Sequence, residues 1–160
     1  MPTPATPSFT IRPARPEDLP RVVELIAEHA VYEKADPPAP GLADRLAALL
    51  FPPSGPPSRL RCLVAQAPDG TLAGYSTCAP ELSTWEGREY LFMDCLYLTE
   101  ETRGQGVGRL LMAAVRAEAA RLGLLHIEWQ TPTWNESARR FYTRLGATEK
   151  DKTRYTLRTT

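Results

Sequence analysis

Histidine is almost missing from this chain: His29 and His126 are the two among 160 residues, and they are widely separated. A zinc site usually draws several His and Cys ligands at short spacings, so no metal is expected. Cysteine is nearly as scarce. Cys62, Cys78 and Cys95 form an odd count with no C-x-x-C pair, and each lies in a β-prone stretch. That pattern predicts small buried hydrophobes in a reducing cytosol. Net charge is absent as well, because 19 basic side chains cancel 19 acidic ones. No global field draws the protein to nucleic acid or to an anionic membrane. Long apolar runs are lacking too, and the N-terminus carries no signal-peptide core, so a cytoplasmic location is expected.

What is present describes a folded globule. Apolar residues make up 42% of the chain, and 160 residues are enough to bury one substantial core. Proline is the excess, with 16 residues concentrated in the first stretch and two loops. Residues 1–7 (MPTPATP) read as a flexible proline-rich tail, and 8–160 as a single domain, since neither flank of the Pro52–Pro57 loop could bury a core alone.

Periodicity supplies the elements. Phe9–Arg12 alternates as a strand, and Leu19, Val22, Val23, Ile26 and Ala30 recur at helical spacing up to Tyr32-Glu33. Leu42–Phe51 reads as a second helix. Leu60–Ala67 and Leu72–Cys78 flank Asp69-Gly70, a strong hairpin signal. Ala79–Glu89 is expected to be a loop carrying Trp85, before a central strand over Tyr90–Leu98. A long helix then ends at Gly123, followed by a strand over Leu124–Gln130 and a helix over Asn135–Arg144. Ala147–Lys150 and Thr153–Leu157 suggest a closing hairpin. The expected order is β-α-α-β-β-β-α-β-α-β-β, a mixed, mostly antiparallel α/β sheet flanked by helices, with one parallel crossover around the long helix.

The chemistry concentrates where the central strand meets that helix, at Arg103-Gly104-Gln105-Gly106-Val107-Gly108-Arg109. A helix start with three glycines brings bare backbone N–H groups close to an anion, and the helix dipole and Arg103 add positive potential. A P-loop would need a Gly-Lys-Ser/Thr that is not there, and a dinucleotide fingerprint would need glycine where Arg109 stands. The run does fit Gln/Arg-x-x-Gly-x-Gly/Ala, as Arg103, Gly106 and Gly108. It resembles the acyl-CoA pyrophosphate loop of the GNAT superfamily of N-acetyltransferases. The element order resembles that fold over the whole chain after the tail. A second signature, Asn135…Ala138…Phe141-Tyr142…Gly146-Ala147, is similar to the family's C-terminal one.

Within the superfamily the chain looks most like the diamine (spermidine/spermine) acetyltransferases and their thialysine-acetylating relatives. The likeness rests on Tyr32-Glu33, Trp85, Asp94, the glycine turn and Trp134-Asn135-Glu136. The resemblance implies acetyl-CoA as co-substrate, with backbone groups of Cys95, Leu96 and Tyr97 on its acetyl and pantetheine part. Gly104 to Arg109 would hold the pyrophosphate, and Asn135, Glu136 and Ser137 the pantetheine or adenosine end. Tyr142 matches the general-acid tyrosine and would also touch the cofactor. Tyr32, Glu33, Trp85 and Asp94 would bind the acceptor, and a homodimer is implied. One position departs: the diamine enzymes carry a glutamate, assigned as base, where this chain has Met93.

Acyl transfer to an amine requires a neutral nucleophile. An alkyl amine of pKa about 10.4 pays roughly 4 kcal/mol to be neutral near pH 7.4. Glu33 and Asp94 are the carboxylates at hand to offset that cost or to hold the substrate cation. A tyrosine near pKa 10 gives its proton to a thiolate near 8.5 uphill by roughly 2 kcal/mol, within reach of a positioned Tyr142. Adjacent helix positions face about 100° apart, so Phe141 and Tyr142 are not both expected in a core. An acyl-cysteine at Cys95 is disfavoured because no histidine neighbours it in sequence. Arg139, Arg140 and Arg144 read as a solvated helix face. The expected activity is acetyl transfer from acetyl-CoA to a primary amine of a small cationic molecule. Its competitors are a non-catalytic acyl-CoA-binding regulatory module and a protein or peptide N-acetyltransferase.

Overall fold

A computed structural model describes Met1 and residues 8–160; the expected tail over residues 2–7 lies outside the described residues. The described chain divides into two compact units, Met1–Trp129 and Gln130–Thr160.

In the first unit, β1 (Thr10–Pro13) leads through a 3-10 turn at Pro16–Asp18 into α1 (Leu19–Tyr32) and then α2 (Leu42–Leu50). The turn is held by Arg12, whose guanidinium donates to both Asp18 carboxylate oxygens at 2.7 and 3.0 Å, while the Arg15 N–H donates to the same group. β2 (Arg61–Gln66), β3 (Leu72–Ser83) and β4 (Arg88–Leu98) follow, then α3 (Val107–Arg121) and β5 (Ile127–Trp129). The strands lie in the order β1-β2-β3-β4-β5. Neighbours are antiparallel except β4 and β5, which pair in parallel around the α3 crossover, as the sequence predicts.

Period-two alternation gives this sheet two apolar faces. On one, Val22 and Leu25 of α1 pack with Cys62, Val64, Leu72, Tyr75 and Tyr97, and Cys95 joins them. On the other, Val107 and Leu111 of α3 pack with Ala65, and Leu63, Leu96 and Leu98 border them. Each fully buried Val or Leu contributes about 1.5–3 kcal/mol, so this burial on both faces fixes the register of β4. Gly74 is required for close approach. A Cβ there would lie 2.5 Å from Leu98 Cδ2 and 2.6 Å from the Tyr97 carbonyl oxygen.

Three expectations are corrected. The segment Ala79–Glu89 is mostly strand, because β3 continues to Ser83 and β4 starts at Arg88, leaving a short turn. Pairing with β2 ends at Arg61↔Cys78, so Pro80 sits where β3 has become an edge that tolerates proline. The strand expected over Leu124–Gln130 is confined to Ile127–Trp129.

The third correction concerns the second unit, which holds α4 (Glu136–Arg144). Gly146, at φ 89°, follows the helix end, and residues 147–160 carry no strand. The sheet therefore has five strands where seven were expected. Thr153–Leu157 has β-prone residues, yet Tyr155 and Leu157 are exposed. Such a preference becomes a strand only against a partner that buries one face.

Candidate active site

The central feature is a bulge in β4. Thr77 pairs with Cys95 and Cys78 pairs with Met93, so Asp94 is an extra residue with no partner on β3. A bulge re-aims its side chains, and here the exposed Asp94 carboxylate comes to 3.7 Å from the Cys95 thiol, which donates to it. The Cys95 carbonyl accepts from Ser76 Oγ at 2.8 Å, which pins the strand beside the bulge.

The bulge coincides with a split in the sheet. Pairing of β4 with β5 ends at Met93↔Trp129, so among the described residues Asp94 to Leu98 have no partner strand on that side. Alternate backbone N–H and C=O groups of Cys95, Leu96 and Tyr97 therefore face an unfilled edge. That is the arrangement needed to take an extended ligand as a short surrogate strand.

Below this edge the chain turns into α3. A buried hydrogen bond between the Thr99 and Thr102 hydroxyls, 2.7 Å, closes a 3-10 turn at Glu100–Thr102. Gly104 and Gly106 then take φ of 78° and 82°, the left-handed region open to glycine. Gly106 is the N-cap of α3, and the first helical bond runs from Leu110 N–H to its carbonyl. The N–H groups of Val107, Gly108 and Arg109 precede that bond and have no intrahelical acceptor. A Cβ at Gly104 or Gly106 would meet nothing within 4 Å, so the space above the turn is open to an anion. Gln105 ties the turn back by donating to the Glu101 carbonyl. These features fit a pyrophosphate.

Arg103 takes a different position from the one expected. Its Nε donates to the Leu98 carbonyl at 3.1 Å, and its guanidinium lies 4.2 Å from the Tyr32 ring centroid and 5.5 Å from that of Tyr97. A planar cation stacks well on an aromatic face, so Arg103 joins the glycine turn to the end of α1. Arg109, exposed in the first turn of α3, is the cation beside the open N–H groups.

The α1 face of β4 carries groups that sequence reasoning missed. His29 Nδ1 lies 2.8 Å from the Tyr75 hydroxyl, and its Nε2 lies 3.1 Å from Glu33 Oε1. Its ring stacks on Tyr97, with centroids 5.2 Å apart. Burial, reinforced by Asp94, pushes the Cys95 thiol up to about 11, and burial raises Tyr75 further still. Cys95 thus holds its proton at neutral pH, which argues against an acyl-cysteine. One signal was available: His29 and Glu33 are four apart, one helical turn, and face each other.

Trp85, within the first unit, is placed apart from the bulge. Trp85 occupies the β3–β4 turn, 97% exposed. Six strand residues separate that turn from Asp94, about 20 Å at the usual rise. Met93 is only 2% exposed, so a carboxylate at this position would be buried between β3 and β5 partners Cys78 and Trp129. In the second unit, Asn135 caps α4 by accepting from the Ala138 N–H at 3.2 Å, with Glu136 and Ser137 exposed in the first turn. Tyr142 is half-buried on α4 with its ring centroid 5.3 Å from that of Phe141. Arg139 pairs with Glu149 at 2.8 Å, and Arg140 lies 3.7 Å from Glu136, as a solvated face would. Among the described residues, no cluster of His, Cys, Asp or Glu is placed to hold a metal, and no helix is long and apolar enough to cross a membrane.

The site is thus a sheet split beside a central bulge, with its strand feeding a glycine-rich helix start that is open to an anion. The chain belongs to the acetyltransferase (GNAT) family, whose profile matches residues 26–147, and the family implies an acyl-CoA donor. It is 31% identical over 144 residues to the thialysine N-epsilon-acetyltransferase of Bos taurus, covering 86% of this chain and 82% of that protein. It is 30% identical over 91 residues to L-ornithine N5-acetyltransferase NATA1 of Arabidopsis thaliana, spanning 57% of this chain and 40% of the relative's length. The D-amino-acid N-acetyltransferase HPA3 of Saccharomyces cerevisiae is 35% identical over 86 residues, 54% of this chain and 53% of that one. Among solved structures, the Bacillus halodurans protein BH1408, studied as a tetramutant, superposes with a TM-score of 0.74 at 25% identity, covering 92% of this chain and 99% of its own.

Proposed function

We propose that this protein transfers an acetyl group from acetyl-CoA to a primary amine of a small, amino-acid-like cation, with residues 8–160 acting as one catalytic domain. The observation that carries the reading is the bulge at Asp94, which presents a carboxylate beside an unpaired strand edge that leads directly into an open anion cradle. The relatives are named for thialysine, L-ornithine and D-amino acids, all amines on an amino-acid skeleton. Three further proposals go with it: a cytoplasmic location, a homodimeric state, and Trp85 as an acceptor contact.

The donor, when bound, supplies an activated acyl carbon. The N–H groups of Val107, Gly108 and Arg109 would hold its pyrophosphate, and the free edge at Cys95, Leu96 and Tyr97 its pantetheine amides. Asn135, Glu136 and Ser137 would serve its remaining length. Asp94, assisted by Glu33, binds the acceptor as an ammonium and draws off its proton when it reacts. Tyr142 gives a proton to the departing thiolate, a transfer of the kind that general acids accelerate by about 10²–10⁴-fold.

Met93 bears on which amine is taken. A polyamine carries several charges, and each one removed from water requires a partner. With methionine in place of a carboxylate at the reacting end, a singly charged side-chain amine is favoured over spermidine. The test measures free-CoA release with thialysine, ornithine, other amino acids, spermidine and short peptides. Turnover is expected to be fastest with the amino-acid amines. Equal or better turnover of spermidine or peptides would refute the assignment.

A further inference from the structure

An amino-acid acceptor brings a charge that Asp94 and Glu33 repel. Its carboxylate needs a cation when it leaves water. Arg12, beside the start of α1, and Arg21, in its first turn, are already neutralised: Arg12 lies 2.7 Å from Asp18, and Arg21 lies 3.0 Å from Glu24 and 2.8 Å from Glu28. Arg103 differs. It is exposed, and among the described residues it has no carboxylate partner. Its Nε donates to the Leu98 carbonyl at 3.1 Å, and its guanidinium lies 4.2 Å from the ring centroid of Tyr32 and 5.5 Å from that of Tyr97.

We propose that Arg103 holds the acceptor's carboxylate, so that the amine acetylated is the side-chain amine of a diamino acid whose carboxyl group is free. The proposal rests on the reading that Asp94 receives the acceptor amine. Its first support is where the two charges lie. The Asp94 carboxylate is brought to 3.7 Å from the Cys95 thiol, and Cys95 and Tyr97 share the α1 face of β4. Asp94 and Arg103 therefore present opposite charges along one face. Tyr97 stands three residues after Asp94, about 10 Å at the usual rise. An extended ornithine or thialysine, with a hydrogen bond of about 2.8 Å at each end, spans that interval, its side-chain amine on Asp94 and its carboxylate on Arg103. An acceptor whose only amine adjoins its carboxylate does not reach both.

The second support is how Arg103 is held. The Tyr32 ring covers the flat of the guanidinium, and the bond to Leu98 fixes its turn. A carboxylate meets a guanidinium in its plane through two parallel N–H···O bonds, and an end-on pair at the terminal nitrogens uses neither the ring face nor Nε. Because the orientation is already set, little side-chain freedom is lost when the ligand binds. Lysine at this position would keep the charge without the fork or the stack. Reversed binding sets the carboxylate against Asp94 and the ammonium against Arg103, so the same two charges exclude the wrong orientation.

The test compares Arg103→Gln with wild type in the full-length protein, using L-ornithine, L-ornithinamide and 1,4-diaminobutane as acceptors. In the wild type, replacing the carboxylate by the neutral carboxamide should lower kcat/KM by about 10- to 150-fold, mainly through KM. Arg103→Gln should lose that factor with ornithine and little with the other two acceptors. Arg103→Lys should show the same selective loss to a smaller degree. Calorimetry should give an acetyl-CoA Kd within about twofold of wild type. Equal losses with all the acceptors, or a weakened donor, would assign Arg103 to the fold or the cradle and overturn the proposal. A preference for ornithine over ornithinamide as strong in Arg103→Gln as in wild type would pass the carboxylate to another cation, such as Lys34, and overturn it too. If Arg103→Gln does not fold, Arg103→Lys must give the selective loss, and its absence overturns the proposal equally. A wild type that acetylates ornithine and ornithinamide alike leaves the proposed function standing and removes this role for Arg103. One that acetylates no amine at all refutes the proposed function itself.

Discussion

Replacing Gly106 by alanine puts the anion cradle to a quantitative test, because Gly123 provides a matched control on the same helix. Gly106 caps the N-terminus of α3 at φ 82°, and Gly123 follows its C-terminus at φ 71°. A Cβ at either position would meet nothing within 4 Å. Both substitutions therefore carry the same cost, about 1–2 kcal/mol for an L-residue in the left-handed region, and should lower stability alike. They part on donor binding. At Gly106 the methyl enters the space above the Val107–Arg109 amides, whereas Gly123 lies a whole helix away. Loss of one charge-assisted hydrogen bond is worth about 1.5–3 kcal/mol, or about 10- to 150-fold in affinity. Calorimetric titration of acetyl-CoA should show that weakening for Gly106→Ala, and a Kd within about twofold of wild type for Gly123→Ala. Equal affinity in wild type and Gly106→Ala would refute the cradle. Equal weakening in both variants would trace the effect to helix stability instead.

Tyr142→Phe keeps the ring and removes one hydroxyl, so kcat should drop on the order of 10²-fold with donor affinity unchanged; stopped-flow measurement of the chemical step checks this. Asp94→Asn should raise the acceptor KM at least about tenfold, the worth of one charged hydrogen bond, while the acetyl-CoA KM stays near wild type. Initial rates with each substrate varied in turn decide it. The Arg12 guanidinium holds the Asp18 carboxyl below its usual range. A depressed folded pKa stabilises above the unfolded value, about 3.9, and that contribution is lost as pH falls through the folded pKa. Asp18→Asn should thus cost about 1.5–3 kcal/mol near neutral pH, with the gap in Tm closing below about pH 4.

The sequence alone determined the elements whose signals are local. Helical spacing defined α1 and α3, Asp69-Gly70 defined the β2–β3 hairpin, and Gly104 and Gly106 marked the anion cradle, since φ > 0 is a demand that a residue type reveals directly. The family was legible for the same reason: its two signatures are short runs read in order. Tertiary structure decided what depends on a partner. Ala79–Ser83 is strand because β4 pairs with it, and Thr153–Leu157 is not, although its residues are the more β-prone. The bulge that turns out Asp94 arises from a register mismatch between two strands, which no single run of residues encodes. Arg103 reads as a phosphate ligand in its motif, yet its guanidinium lies on Tyr32, some seventy positions earlier in the chain. His29 and Tyr75 are silent residues until α1 packs on the sheet and their side chains meet. Local chemistry sets what each segment can do, and burial of one segment against another selects what it does.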